Sequence, residues 1–302
     1  MSNMFEPFKN NLCSKYAEKM ISIKLTSACN AKCSFCVDKG GYDAARIDVA
    51  AIADAANKLT EYNTVIITGG EPLIHFEELV ELLNKIRPVK TKIILNTNGW
   101  LLTSLKVLKL NGLIDELQIS IHHPNNQLNA MIFGFDKIDY QFFDTLKCIL
   151  KPAKFNISIN TTLNKTLSLL PDNNPEKRIT ELEELAYHIG ANKLRLTELK
   201  KVDHDQFVDA KIFFPNESFV KKSSKDLITK GCTYYYTTEN GVEVSVKRLC
   251  KYAKGKDAKA FSCCFIDTNG QKKINVDTKD TFKVVYSDGS VYDDWIFDKD
   301  KI

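Results

Sequence analysis

An alternation of short β-branched runs with longer amphipathic stretches is the feature that most constrains the fold of this chain. The β-branched runs have the length and the Ile, Leu, Val and Thr content of strands buried in a parallel sheet. They lie at Ile21 to Thr26, Thr64 to Thr68, Lys92 to Thr97, Glu116 to Ile121, Phe155 to Thr161 and Lys193 to Thr197. Helices are predicted between them, at Ile47 to Leu59, Phe76 to Arg87, Leu102 to Leu110, Tyr140 to Leu150 and Glu176 to Ile189. Repeated βα units of this kind predict an α/β fold around a parallel sheet.

The character of the sequence changes after Glu198. Turn signals flanked by strand-forming residues predict three hairpins in the last hundred residues, at Glu239-Asn240-Gly241, Thr268-Asn269-Gly270 and Ser287-Asp288-Gly289. We therefore predict an N-terminal extension at residues 1–19, a main domain at 20–199 and a hairpin-rich domain at 200–302.

Nine cysteines in a chain of 302 residues are the unusual feature of the composition. The first 16 residues are polar and contain Pro7, so they do not resemble a signal peptide. A disulfide scaffold is therefore not indicated, and we predict a cytoplasmic protein whose cysteines are metal ligands or reactive thiols. No apolar run reaches the ~18 residues of a membrane span. The net charge of +4 comes almost entirely from Lys, and stacking aromatics are sparse around the basic runs, which argues against nucleic-acid binding.

Three cysteines, Cys29, Cys33 and Cys36, form a C-x3-C-x2-C motif directly after the first predicted strand. Loops at the carboxyl ends of barrel strands are where such folds build active sites. Three thiolates at that position suit three irons of a [4Fe–4S] cluster and leave the fourth iron open. The alternatives are a zinc site, which usually needs a fourth ligand, and three unrelated thiols.

This triplet, with the aromatic Phe35 before its last cysteine, resembles the signature of the radical S-adenosylmethionine (SAM) superfamily. A second family motif, Gly69-Gly70-Glu71-Pro72, ends the second predicted strand. The resemblance implies a partial, TIM-like (β/α)6 barrel in which the three cysteines bind the cluster and SAM chelates its open iron. It also implies that the Gly-Gly-Glu segment binds the amino group of SAM. For the glycines alone, a strand-to-helix turn is the simpler interpretation.

Other positions are implied to contact SAM. Family members often hold the ribose and carboxylate with a Ser on the fourth strand and an Asn on the fifth, which correspond here to Ser120 and Asn160. His122 stands where many relatives have Asp, and it is either a cofactor contact or a structural histidine. Thr97 ends the third strand. It and its neighbours Asn96, Asn98 and Gly99 either face the cofactor or form a simple turn.

A second group of cysteines, Cys232, Cys250, Cys263 and Cys264, lies in the last third of the chain. Its layout resembles the auxiliary-cluster modules of the superfamily, the twitch and SPASM domains. We predict that Cys232, Cys250 and one or both of the adjacent pair bind a second [4Fe–4S] cluster. If only one of the pair is a ligand, the other is a candidate hydrogen-atom donor. Zinc is the alternative metal. Cys13 and Cys148 are isolated in the sequence, and we assign them no function.

The resemblance implies an enzyme that accepts one electron from a flavodoxin or ferredoxin-type donor and cleaves SAM to methionine and a 5′-deoxyadenosyl radical. That radical would abstract a hydrogen atom from the substrate, leading to oxidation, epimerisation or rearrangement. Basic residues between Lys247 and Lys259 suit an anionic substrate, or else form a solvated loop.

The short segment before the first strand leaves no room for a leader-binding domain, which favours a small-molecule substrate over a peptide. Three alternatives stay open. They are a peptide-modifying maturase, a glycyl-radical activating enzyme and a non-enzymatic zinc or iron–sulfur protein.

Overall fold

The structure is a computed structural model, and it describes residues 19–36, 46–137, 139–168, 174–199, 208, 212–214, 228–230, 233–247, 264–266, 272–274, 282–293 and 295. The strands are β1 Met20–Lys24, β2 Thr64–Thr68, β3 Lys92–Thr97, β4 Glu116–Ser120, β5 Asn156–Leu163, β6 Lys193–Glu198, β7 Ile228–Lys230, β8 Thr233–Thr237, β9 Glu243–Lys247, β10 Cys264–Ile266, β11 Lys272–Ile274, β12 Phe282–Val285 and β13 Val291–Tyr292. The helices are α1 Val49–Lys58, α2 Phe76–Ile86, α3 Ser104–Leu110, α4 Asn126–Phe133, α5 Phe142–Leu150, α6 Lys165–Ser168 and α7 Pro175–His188, with a 3₁₀ turn at Pro72–His75.

One open, mostly parallel sheet organises the described residues. Its strand order is β13-β12-β1-β2-β3-β4-β5-β6-β9-β8-β7, and β10 pairs with β11 separately. Strands β1 to β6 follow one another in parallel register, so their carboxyl ends meet at one edge. This architecture confirms the predicted α/β fold with a partial barrel, because six βα-connected strands form a parallel sheet that does not close.

Side chains alternate between two faces of this sheet, as the pleat requires. On β3 and β4 the residues Ile93, Leu95, Leu117 and Ile119 are fully buried in the core cluster beneath the helices. The residues between them, which include Asn96 and others described below, are more polar and face the opposite side. We call this opposite side the inner face.

Capping side chains fix where several helices begin. Asp48, Thr103, Asn125 and Asn174 each accept a hydrogen bond from a backbone N–H in the first turn of the following helix. These bonds satisfy donors that the start of a helix leaves without a partner. The chain can therefore turn sharply from each carboxyl-edge loop into the helix that covers the sheet.

The six predicted strands of the main domain agree with β1 to β6 to within two residues at each end. Four elements were not predicted, namely the 3₁₀ turn, α4, the four-residue α6 and β7. Helix α4 is short, and its apolar residues lack the regular spacing that marks an amphipathic helix. Its end signals are nevertheless in the sequence, since Asn125 caps its start and Gly134 ends it in the left-handed conformation at φ 71°.

The three predicted hairpins are present as β8–β9, β10–β11 and β12–β13. Two of them extend the main sheet. Strand β9 pairs in parallel with β6, and β12 pairs in parallel with β1. The C-terminal residues that the structure describes thus continue the sheet of residues 20–199 at both of its sides.

No helix in the described ranges has the length and apolar character needed to span a bilayer.

Candidate active site

The cysteine triplet lies on the loop that leaves the carboxyl end of β1. The backbone N–H of Cys36 donates to the carbonyl of Cys33 at 3.2 Å, which closes a turn between the second and third thiols. The N–H of Ala31 donates to the sulfur of Cys29 at 3.4 Å. A hydrogen bond to sulfur favours the thiolate form that binds metals. None of the three is in a disulfide.

Three thiols on one loop, none of them in a disulfide, are a donor set that suits three irons of a [4Fe–4S] cluster. Across the described residues, no three His, Cys, Asp or Glu side chains are close enough to share one metal ion. In a cluster, by contrast, each thiolate binds its own iron. The residues present therefore fit a cluster by number and chemistry.

The Gly69-Gly70 pair approaches the cysteine loop at backbone contact distance. Gly70 N–H donates to the carbonyl of Thr26 at 2.7 Å, and Glu71 N–H donates to the carbonyl of Ala28 at 2.8 Å. A Cβ on Gly69 would lie 2.3 Å from the Thr26 oxygen, and one on Gly70 would lie 2.2 Å from the Ala28 oxygen. Gly69 also has φ 140°. Both glycines are therefore needed because two loop backbones touch there.

The carboxylate of Glu71 is turned into the protein. It is fully buried and accepts hydrogen bonds from Leu73 N–H at 3.0 Å, Thr97 Oγ1 at 2.7 Å and Asn98 N–H at 2.7 Å. Burial raises the pKa of this carboxyl, and the hydrogen bonds from Asn98, Leu73 and Thr97 oppose that rise. Both oxygens are engaged, so in this geometry Glu71 joins the β2 and β3 loops. The next residue, Pro72, is buried at the start of the 3₁₀ turn.

Asn98 links the β3 loop to the cysteine loop. Its side-chain Nδ2 donates to Asn30 Oδ1 at 2.7 Å, and its Oδ1 accepts from Trp100 N–H at 3.1 Å. Asn30 directly follows Cys29 in the chain. The loops after β1, β2 and β3 are therefore tied together by side-chain bonds. Asn96 stands on the inner face nearby, and its Oδ1 is a buried oxygen with no hydrogen-bond partner in the structure as described.

Helix α4 and its C-terminal glycine hold the other side of the cysteine loop. Lys32 N–H donates to the carbonyl of Phe133 at 2.7 Å, where the helix ends. A Cβ on Gly134 would lie 3.1 Å from the Cβ of Lys32. The ring of Phe35 packs edge-on against His122, with ring centroids 5.1 Å apart. This contact buries the aromatic residue of the motif against the segment that follows β4.

His122 is a buried, neutral histidine. Burial lowers its pKa to about 3. Its Nδ1 accepts from Thr162 N–H at 3.1 Å, which assigns the ring proton to Nε2. Its own backbone N–H donates to Asn129 Oδ1 at 2.8 Å. Through its ring and its backbone N–H, His122 contacts β5, α4 and the cysteine loop.

Ser120 and Asn160, the two residues implied to hold SAM on the fourth and fifth strands, are direct partners in the β4–β5 register. In the β5–β6 register Asn160 pairs with Arg195. Paired residues of parallel strands share a face, so these three side chains form one row across the inner face. Arg195 was not singled out in the sequence, because no local motif marks it.

The second cysteine group falls mostly outside the described residues. Cys232, Cys250 and Cys263 are not among them, and Cys264 is described only as the first residue of β10. The auxiliary cluster and the hydrogen-donor role of Cys263 or Cys264 therefore stay predictions.

The chain is similar in sequence and in fold to known proteins. Residues 23–163 match the radical SAM superfamily. A probable GTP 3′,8-cyclase of Saccharolobus solfataricus is 29% identical over 225 residues, which cover 70% of this chain and 67% of that protein.

Among solved structures, Streptococcus suis SuiB bound to S-adenosylmethionine aligns with a TM-score of 0.63 at 17% identity, over 91% of this chain and 60% of SuiB. A radical SAM methyltransferase from Sphaerobacter thermophilus aligns with a TM-score of 0.52 at 14% identity, over 85% of this chain and 70% of that one. The chain thus spans about 60% of the length of SuiB. At these identities the structural likeness shows a common fold.

Proposed function

From the radical SAM domain that this chain carries at residues 23–163, we propose that it binds a [4Fe–4S] cluster through Cys29, Cys33 and Cys36 and binds SAM beside it on the inner face. One observation carries the proposal. The carboxyl edge of the parallel sheet brings the cysteine loop, the Gly69-Gly70 turn and the row of Ser120, Asn160 and Arg195 to the same place.

When bound, the cluster supplies an electron for cleavage of SAM to methionine and a 5′-deoxyadenosyl radical. The residues of the chain bind and orient the cofactor. Because the Glu71 carboxylate is occupied by Thr97 and Asn98, we assign the SAM ammonium to backbone carbonyls of the Gly69–Glu71 segment. Arg195 offers a guanidinium to the SAM carboxylate, and Ser120 and Asn160 offer hydrogen-bonding groups to the ribose and the carboxylate.

Rigid support of the cysteine loop is the second task of the protein. Glu71, Asn98 and Asn30 hold the loop on one side, and Phe35, His122 and the end of α4 hold it on the other. A radical reaction needs the reacting carbon atoms in fixed positions, with water excluded. A cysteine loop that is held from both sides can keep the cluster and the cofactor in fixed positions.

We propose a small anionic molecule as the substrate. The inner positions of the described strands carry the cations Lys24, Lys193, Arg195 and Lys247, and Lys193 and Arg195 both face Glu116. Further positive charge is supplied by the basic run from Lys247 to Lys259. A nucleotide such as GTP is the first compound to test, because relatives are named probable GTP 3′,8-cyclases.

We further propose that Cys232, Cys250 and one or both of Cys263 and Cys264 bind a second [4Fe–4S] cluster. The hairpins β8–β9 and β12–β13 join the sheet beside β6 and β1, so the described part of the C-terminal third is attached to both sides of the sheet that carries the site.

Anaerobic reconstitution with iron and sulfide, followed by SAM and dithionite, tests the proposal. We expect 5′-deoxyadenosine from the wild-type chain and none from a Cys29→Ala, Cys33→Ala, Cys36→Ala triple variant. The matched control is Cys148→Ala, which removes an exposed cysteine on α5. Absence of 5′-deoxyadenosine from the wild-type protein with iron bound, or equal amounts from the triple variant, would overturn the assignment.

A further inference from the structure

Glu116 is a buried carboxylate that the binding site described above does not use. It opens β4, and its side chain is 2% exposed. Its register partners on β3 and β5 are Ile94 and Asn156, so it points to the inner face, below the row of Ser120, Asn160 and Arg195. An ionised carboxylate in this position needs partners, because desolvating an unpaired charge is costly.

Three side chains from two other strands meet this carboxylate. Arg195 Nη2 and Ser158 Oγ each donate to Oε1 at 2.7 Å. Lys193 Nζ lies 3.7 Å from Oε2. Ser158 is fully buried, whereas the side chain of Arg195 is 32% exposed. The guanidinium is thus held at one nitrogen, while the fork of five N–H donors gives it further donors for a ligand on the inner face.

Stability by itself does not explain such a network. Replacing a buried ion pair by apolar side chains of similar volume is often neutral or stabilising. The opposite face of the same strands, which packs under the helices, carries apolar side chains instead, and Leu117, Ile119 and Ile159 are fully buried there. The charged network lies only on the face that carries the row of Ser120, Asn160 and Arg195.

We infer that Glu116 is a positioning residue, which holds the guanidinium of Arg195 just below that row so that its remaining N–H donors bind the carboxylate of SAM. Ser158 fixes the Glu116 carboxylate in turn. The inference rests on the proposed function, since it concerns the same cofactor site.

A positioning role and a simple electrostatic role of Glu116 predict opposite effects of Glu116→Gln on the binding of a carboxylate ligand. Replacing Glu116 by Gln removes a negative charge, which by electrostatics alone would favour a carboxylate ligand and disfavour a cationic one. If Glu116 orients Arg195, the same replacement weakens the carboxylate contact. The decisive quantity is therefore selectivity, which we define as the dissociation constant of decarboxylated SAM divided by that of SAM.

The experiment measures both dissociation constants on the reconstituted holoenzyme. For wild type we expect the larger constant for decarboxylated SAM. Arg195→Ala and Glu116→Gln should each reduce the selectivity about tenfold, the fold-change of one charge-assisted hydrogen bond. The double variant should lose no more than Arg195→Ala alone, because Glu116 acts through Arg195.

Two further variants separate positioning from loss of structure. Ser158→Ala keeps every charge and removes one donor to Glu116, and it should reduce the selectivity about threefold. Glu183→Gln is the matched control, because it alters another carboxylate that accepts a short hydrogen bond, from Tyr236 at 2.5 Å. It should leave the selectivity at the wild-type value.

Unchanged or increased selectivity in Glu116→Gln, or additive losses in the double variant, would overturn the inference. If Glu116→Gln does not fold, the Ser158→Ala result decides. A wild-type holoenzyme that makes no 5′-deoxyadenosine contradicts the proposed function instead. If 5′-deoxyadenosine forms while Glu116→Gln retains full selectivity, only the inference about Glu116 fails.

Discussion

The backbone N–H of Asn98 donates to the buried carboxylate of Glu71 at 2.7 Å, although 26 residues separate the two in the chain. Asn98 in turn binds Asn30 on the cysteine loop. This relay joins the ends of three parallel strands at one point. It gives the glutamate of the Gly-Gly-Glu motif a structural task that its place in the sequence does not reveal.

Replacing Glu71 by Ala should destabilise the chain severely. Three buried donors would lose their acceptor, and we expect a loss of about 3 kcal/mol in the free energy of unfolding. Urea unfolding measures it. Glu77→Ala is the control, because Glu77 lies on the exposed side of α2 and its carboxylate pairs with the exposed Lys109, and it should change the free energy by less than about 0.5 kcal/mol. Equal losses in the two variants would contradict the structural role of Glu71.

Gly70→Ala should displace the cysteine loop. The new Cβ would stand 2.2 Å from a backbone oxygen of Ala28, a position that no side-chain rotation relieves. We expect less than half of the wild-type iron content after reconstitution. Gly112→Ala is the matched control, because Gly112 has φ 82° but open space around it, so we expect a cost of about 1 kcal/mol. Full iron binding by Gly70→Ala would show that the loop tolerates the added carbon.

Stability should fall below pH 6.5, in part because of His122. Its pKa is lowered to about 3 in the folded chain, so the unfolded chain binds the proton more tightly between these pH values and stability decreases as the pH falls. His123, with a pKa lowered to about 4 by burial and by Arg178, acts in the same direction. Each contributes a slope of at most about 1.4 kcal/mol per pH unit.

His122→Asn tests this linkage while keeping an oxygen that can accept from Thr162 N–H. Urea unfolding between pH 4.5 and 7 should show about half of the wild-type pH slope. Val107→Ala, a core truncation in α3 without a titratable group, should lower the whole curve and leave its slope unchanged. If His122→Asn keeps the wild-type pH dependence of the free energy of unfolding, this histidine is not buried in its neutral form.

The auxiliary cluster makes a separate prediction about iron. Cys232→Ala should bind about four irons per chain where the wild type binds about eight, because one of two [4Fe–4S] clusters is lost. Cleavage of SAM should persist, since the first cluster is intact. Cys148→Ala should keep the wild-type iron content. Unchanged iron in Cys232→Ala would remove the auxiliary cluster from the proposal, and zinc in the isolated wild-type protein would replace it with a zinc site.

Local patterns predicted much of the fold. The β-branched runs predicted β1 to β6 to within two residues, because strand length and apolar content are properties of contiguous residues. Helix α4 was missed because its spacing is irregular, and only its caps at Asn125 and Gly134 mark it. The sequence also predicted the hairpins, but not that β9 and β12 pair with β6 and β1.

The sequence alone was enough to predict the residues proposed to carry the chemistry. Cys29, Cys33 and Cys36 follow a strand, and the Gly-Gly-Glu motif follows the next one, so the parallel sheet had to bring them to one edge. Tertiary structure decided how the other groups are used. The Glu71 carboxylate faces Asn98, and Arg195 joins Ser120 and Asn160 with Glu116 beneath it. These contacts depend on the register between strands that are distant in sequence, and a shift of one residue would turn each side chain to the opposite face.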